Sequence, residues 1–182
     1  RLEAIYGSLS KLTDFWFAYR DYDRDGIPEY CHGNDSCADN ATAFDLAPNV
    51  EAPDLCAYLA LDLECLAVIA RKLGDGAAAA DWEARERALI ERLIAHSFDP
   101  ERGQFVSKVS GDHRVAGGDS MINFLPVLLG KRLPPEILKR VVEGLKRPGR
   151  FLTPYGVGSE ALDSPEYTED SYWRGPVWAP WT

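Results

Sequence analysis

The sequence contains no apolar run approaching the roughly 20 residues needed to cross a bilayer, so no membrane-spanning helix is expected. It has only one methionine, and that residue is not at the start. The opening segment Arg1-Leu2-Glu3-Ala4-Ile5-Tyr6 also lacks the apolar core and cleavage site of a signal peptide. These features suggest a processed or truncated product. A cytoplasmic location is the expectation, with periplasmic or secreted locations left open. Basic charge is in deficit: 20 Lys and Arg stand against 29 Asp and Glu, for a net charge of −9. Nucleic acids and anionic membranes need a basic face, so neither is expected as a partner. Internal repeats, low-complexity linkers and composition breaks are absent, and residues 1–182 read as a single domain. Cysteine is sparse. Cys31, Cys37, Cys56 and Cys65 are scattered, and the Cys31-His32…Cys37 spacing matches no strong zinc pattern. They read as reduced, buried thiols.

What is present is chiefly helical periodicity. Leu2, Ile5, Leu9, Leu12, Phe15 and Trp16 predict a first helix from Leu2 to Tyr19. Pro53-Asp54 opens a second, apolar nearly all round (Leu55, Leu59, Leu63, Leu66), and Gly74 ends it. A third, Ala78 to Ser97, has one apolar face (Trp82, Leu89, Ile90, Leu93, Ile94) and charges elsewhere. The contrast repeats: Ser120–Leu129 is strongly apolar, and Pro135–Lys146 is amphipathic. Alternation of buried and half-exposed helices is the pattern of an α/α toroid, with an ordinary helical bundle as the alternative. The fold class expected is therefore all-α: a partial α/α toroid, inner helices alternating with outer. Long loops join them, and Asp99-Pro100-Glu101-Arg102-Gly103-Gln104-Phe105 carries the turn chemistry of a short hairpin.

Two clusters stand out from this scaffold. Asp21-x-Asp23-x-Asp25-Gly26 has the carboxylate spacing of a calcium loop, with glycine at the bend. Position twelve of such a loop wants glutamate and here holds His32, so a remote carboxylate such as Glu51 or Glu64 would have to complete it. Bound structural calcium and a solvated acidic turn both stay open. Asp35 and Asp39 lie among Asn34, Ser36 and Asn40. Glycoside hydrolysis needs one carboxylic acid and one carboxylate, but Asx residues in loops also serve simply to bond the backbone. Near the end, Tyr172-Trp173-Arg174-Gly175-Pro176-Val177-Trp178 has the composition of a surface that stacks on sugar rings.

Taken in order, Tyr19-Arg20-Asp21, Asp25-Gly26-Ile27-Pro28-Glu29-Tyr30, His32 to Thr42, Pro53-Asp54-Leu55, Thr153 to Glu160 and Tyr172 to Trp178 resemble glycoside hydrolase family 63 and the related trehalase-like α-glucosidases. The resemblance runs from about Leu12 to Trp178. It implies hydrolysis of α-linked glucosides or oligosaccharides with inversion. It implies that Asp39 is the general acid, and that Asp35, Tyr155, Glu160, Tyr172, Trp173, Arg174 and Trp178 bind the sugar. Where the family favours Gly-Trp before the acid, this chain has Cys37-Ala38, which implies a missing pocket wall. The family's base lies beyond the Trp-Arg-Gly-Pro-Val-Trp segment. The resemblance thus implies the central part of a catalytic domain, a partial (α/α)6 toroid of about six helices, holding the acid but not the base. A non-catalytic carbohydrate-binding or assembly module is the alternative. A half toroid would also leave its inner helices uncovered and so favour a homo-oligomer.

Overall fold

A computed structural model describes residues 2–178. Helix α1, Leu2–Tyr19, is followed by a long loop with two short 3₁₀ turns, Gly33–Asp35 and Thr42–Phe44. Strand β1 (Val50–Glu51) leads into α2 (Pro53–Lys72), then α3 (Gly76–Ser97). Strands β2 (Phe98–Asp99), β3 (Gln104–Phe105) and β4 (Lys108–Val109) precede a run of 3₁₀ turns, Met121–Arg132. Helix α4 (Pro135–Lys146) and strands β5 (Leu152–Thr153) and β6 (Gly156–Val157) complete the order. Among the described residues there are thus five long helical segments, one fewer than expected, in the alternating arrangement of an (α/α) toroid.

The caps explain the boundaries. Proline occupies the first turn of α2, where no N–H is needed. Gly74, at φ 85, turns the chain out of it. Asp75 then caps α3, its side chain accepting from the Ala78 N–H at 2.9 Å. Helix α2 is the axis of the core. It packs along α3 more extensively than any other pair, with the Met121–Arg132 run and α1 against its other sides. Leu63, Leu66, Ala60 and Ala70 are fully buried there. On α3, Leu89 and Leu93 face α2 while the charged positions stay outside, as the periodicity predicts.

Three expectations need correction. The segment from Met121 is not an α-helix: Pro126 supplies no N–H within it, and Gly130 (φ 54, ψ −128) breaks it. The apolar stripe assigned to α1 is split. Leu9 and Trp16 reach the core, but Leu2, Ile5, Leu12 and Phe15 are exposed, with Tyr19 beside them. Conversely, α2 and Met121–Leu129, expected to be left uncovered, are largely covered within this chain, with Val68 and Leu128 exposed on them. The predicted hairpin is present, with Phe98 opposite Phe105 and Asp99 opposite Gln104. A second antiparallel pair joins β1 to β4 and sets Glu51 opposite Lys108. All four cysteines are free thiols, two of them exposed, and none joins a metal-ligating group among the described residues.

Candidate active site

The loop that carries Asp39 is folded tightly on itself. His32 caps the first 3₁₀ turn, its Nδ1 accepting from the Asn34 N–H at 3.0 Å. The Ser36 hydroxyl donates to the Gly33 carbonyl at 2.8 Å and accepts from the Ala38 N–H at 3.1 Å. Gly33 is required, because a Cβ there would sit 1.9 Å from the Asp39 carbonyl oxygen. Asp39 emerges exposed, with Oδ1 accepting the neighbouring Asn40 N–H at 2.8 Å.

Asn40 ties this loop to the aromatic segment. Its Oδ1 accepts the Trp173 N–H at 2.9 Å, and its amide approaches the Ser171 hydroxyl at 3.4 Å. Trp173 stacks on Trp178 with ring centroids 4.7 Å apart and planes 11° from parallel. Tyr172 lies beside Trp178 at 6.1 Å. Arg174 clasps Asp45 with two guanidinium nitrogens. The bonds it donates to Asp45 raise the Arg174 pKa, so its charge is fixed.

A cleft of about 460 Å³ opens here, lined among others by His32, Asp39, Asn40, Phe44, Asp45 and Arg174. Asp39 and Arg174, proposed from widely separated motifs, therefore line one cleft. The other predicted contacts are distributed differently. Trp173, Tyr172 and Trp178 adjoin the cleft through Asn40. Asp35 faces the loop, accepting from Arg20 at 3.0 Å and from the Cys31 N–H at 2.9 Å. Tyr155 is 86 % exposed on the turn between β5 and β6, outside the cleft lining. Glu160 is fully buried, accepting from the Thr42 hydroxyl at 2.7 Å, the Asp119 N–H at 2.7 Å and the Ser164 hydroxyl at 2.6 Å. Its oxygens are thus committed to protein donors, which corrects its placement as a sugar ligand. Burial raises its pKa, and the hydroxyl bonds partly oppose this. Ala38, where the resemblance implies a missing pocket wall, is buried in the core. Phe44 and Asp45 were not singled out from sequence, and His32 was named only beside the cysteines and at the twelfth position of the acidic loop. Only their spacing near Asp39 hinted at them.

The acidic loop forms a second constellation. Asp23, Asp25, Glu51 and His113 bring ligand atoms within 4.8 Å of one another, and Asp25, His96 and His113 do the same. Asp21 is not among them. Its Oδ2 instead accepts the Gly26 N–H at 3.1 Å, and burial raises its pKa. At Asp23, burial opposes ionisation, but hydrogen bonds from His113 and from the Asp25 N–H prevail and lower the pKa. The bond to Asp23 correspondingly raises the pKa of His113, against the opposing effect of burial. Calcium takes about six to eight oxygen ligands. The clustered set offers three carboxylates and imidazole nitrogen, and Asp21 Oδ1, Glu29 Oε2 and both Glu51 oxygens are buried without a hydrogen-bond partner among the described residues. None of these residues lines the Asp39 cleft.

The helical scaffold alternates as in an (α/α) toroid, and the loop carrying Asp39 and Asn40 is tied to the segment that carries Trp173 and Arg174. Residues 1–182 match the family model described as a mannosylglycerate hydrolase MGH1-like glycoside hydrolase domain, and the chain belongs to that family. Among solved structures it is similar to the GH63 mannosylglycerate hydrolase from Thermus thermophilus in complex with glucose, at 20 % identity and TM-score 0.81. That match covers 97 % of this chain and 52 % of the other. An uncharacterized conserved protein from the same organism matches at 19 % identity and TM-score 0.82, over 97 % of this chain and 54 % of that one. A structure named as a sialidase matches at 13 % identity and TM-score 0.83, over 96 % of this chain and 16 % of that one. The chain therefore spans about half the length of the two Thermus structures, and these likenesses show the fold. No curated protein matches significantly. No helix among the described residues is long and apolar enough to cross a membrane.

Proposed function

We propose that the chain supplies the acid half of a catalytic site that hydrolyses an α-glycosidic bond of a small glucoside or mannoside with inversion. The carrying observation is the exposed Asp39 carboxyl, in a cleft of about 460 Å³ shared with Arg174. Asp39 in its acid form gives its proton to the glycosidic oxygen as the bond from that oxygen to the anomeric carbon breaks. A water attacks the opposite face and loses a proton to a carboxylate base, so the α-linked substrate yields a β product. Arg174, fixed by Asp45, offers its remaining donors to sugar hydroxyls. Trp173 and Trp178 provide a stacked aromatic wall reached through Asn40. The family to which the chain belongs, and the mannosylglycerate hydrolase it is similar to, support a mannoside as well as a glucoside.

The second carboxylate lining the cleft, Asp45, is held by Arg174 and poorly placed to activate water. The base is accordingly assigned to a part of the protein outside the described residues. That same observation favours the alternative of a sugar-binding module without catalysis. Hydrolysis of aryl α-glucosides, aryl α-mannosides and α-linked disaccharides, beside calorimetric binding of the same sugars, separates the two. The catalytic reading expects turnover that depends on Asp39 once a base is available. Binding without any Asp39-dependent chemistry sinks it.

A further inference from the structure

We infer that Arg102, Arg140, Lys146, Arg147 and Arg150 form a binding site for a compact phosphate-bearing dianion, free phosphate or the phosphate group of a small monoester. They line a cleft of about 470 Å³ in which Glu143 is the one carboxylate. In a chain of net charge −9, five of the 20 basic residues thus meet in one place. Arg102 comes from the turn between β2 and β3, Arg140 and Lys146 from α4, and Arg147 and Arg150 from the segment that follows α4. Strand β3 packs against α4, so the hairpin and the helix are held together there. None of the residues lining this cleft lines the cleft of Asp39.

Two of these cations already have counter-charges. Arg102 Nε lies 3.4 Å from Asp99 Oδ2. Arg150 is buried and pairs with Asp119 and, at 3.2 Å, with Asp163. The side chains of Arg140, Lys146 and Arg147 make no hydrogen bond or ion pair among the described residues. Glu143 does not neutralise them, because its nearest cation is Lys139, at 3.9 Å. Arg140 is positioned by packing instead of by an acid. Its guanidinium lies against the hairpin turn at Gly103, where a Cβ would stand 2.9 Å from Nε. Gly103 has φ 71, the conformation that the turn requires and that glycine adopts without strain.

Ordinary solvated cations are the competing account. Lys146 and Arg147 stand at the C-terminal end of α4, where the helix dipole favours positive charge. That leaves Arg140, inside the helix, and Arg102, on a different element, converging on the same cleft. A concave site with surplus charge of one sign concentrates ions of the other. Guanidinium groups match phosphate oxygens in forked pairs, and a lysine ammonium adds a point charge. A singly charged carboxylate would leave cationic charge unmatched. A long polyanion would meet the negative charge of the rest of the chain. A compact dianion satisfies the cleft without either cost.

The test is calorimetric titration of the chain at low ionic strength with inorganic phosphate, glucose 6-phosphate and acetate separately. The expected result is one phosphate per chain, bound at least about ten-fold more tightly than acetate. That affinity should fall as sodium chloride is added. Tighter binding of glucose 6-phosphate than of phosphate supports the site with an ester as its ligand, and equal binding supports it with free phosphate. Arg140→Gln and Arg147→Gln should each weaken phosphate about ten-fold. Both side chains are exposed, so circular dichroism should show the helices retained. The inference is overturned by no phosphate binding at millimolar concentration, or by acetate binding as tightly as phosphate. Phosphate affinity lowered by Arg174→Gln but not by Arg140→Gln would place the anion in the Asp39 cleft and overturn it as well. The wild-type comparison of phosphate with acetate stands even if a variant fails to fold.

Discussion

Replacing Asp54 by asparagine should change how stability depends on pH. Asp54 sits in the first turn of α2, fully buried, with Oδ2 accepting the Tyr30 hydroxyl at 3.2 Å. Burial pushes its pKa from 3.8 to about 7, against the opposing backbone N–H of Leu55 and the Tyr30 hydroxyl. A carboxyl whose pKa is raised by folding keeps its proton longer in the folded chain than in the unfolded one. Its stabilising contribution is complete below pH 3.8 and is lost as pH rises through about 7. At about 1.4 kcal/mol per pH unit, the full effect is of order 4 kcal/mol, of which about 2–3 kcal/mol is lost between pH 5 and 8. For a chain of this size each kcal/mol moves the melting temperature by about 2–4 °C. Asparagine keeps an acceptor for Tyr30 but cannot ionise. Thermal unfolding followed by circular dichroism should therefore show the wild type losing about 5–10 °C more than Asp54→Asn between pH 5 and 8. Other buried carboxyls, such as Glu160, contribute equally to both proteins and cancel in the comparison. Parallel profiles for the two proteins would refute the reasoning.

Glu160→Gln should cost about 1–3 kcal/mol of stability, because one oxygen that now accepts from protein donors becomes an amide. Chemical denaturation would detect this, and an unchanged midpoint would deny Glu160 its role as the tie between Thr42, Asp119 and Ser164. We propose that the exposed apolar face of α1 drives self-association. Light scattering should then find wild-type oligomers that Leu12→Glu dissociates, and a monodisperse wild-type monomer would count against it.

The parts of the fold written in local pattern were legible in the sequence. Helices α2, α3 and α4 follow from apolar periodicity with Pro53 and Gly74 as punctuation, and the hairpin follows from the turn residues after Asp99. The outward face of α1 was not legible, because periodicity marks an apolar stripe without saying which neighbour covers it. Pro126 warned against an α-helix after Ser120, but the apolar run masked it. In the cleft, Asp39 and Arg174 could be named from motifs, while Asp45 could not: its function is a pairing across more than a hundred residues. Glu160 reads like a ligand in sequence, and only three converging donors reveal a buried tie. The acidic loop pointed to a cation and to Glu51. His96 and His113, each alone in its segment, gave no sign that strand pairing and the end of α3 would bring them together.

The central claim is that Asp39 protonates the departing group in a cleft that lacks its own base. Azide tests this most directly, because it can attack the anomeric carbon without a base to activate it. Incubating the chain with an alkyl α-glucoside or α-mannoside and azide should yield the β-glycosyl azide, identified by nuclear magnetic resonance, with little hydrolysis in its absence. Asp39→Asn should slow that reaction by about 10²- to 10⁴-fold while leaving sugar binding intact. Azide product formed equally well by Asp39→Asn, or rapid hydrolysis without azide, would contradict the account.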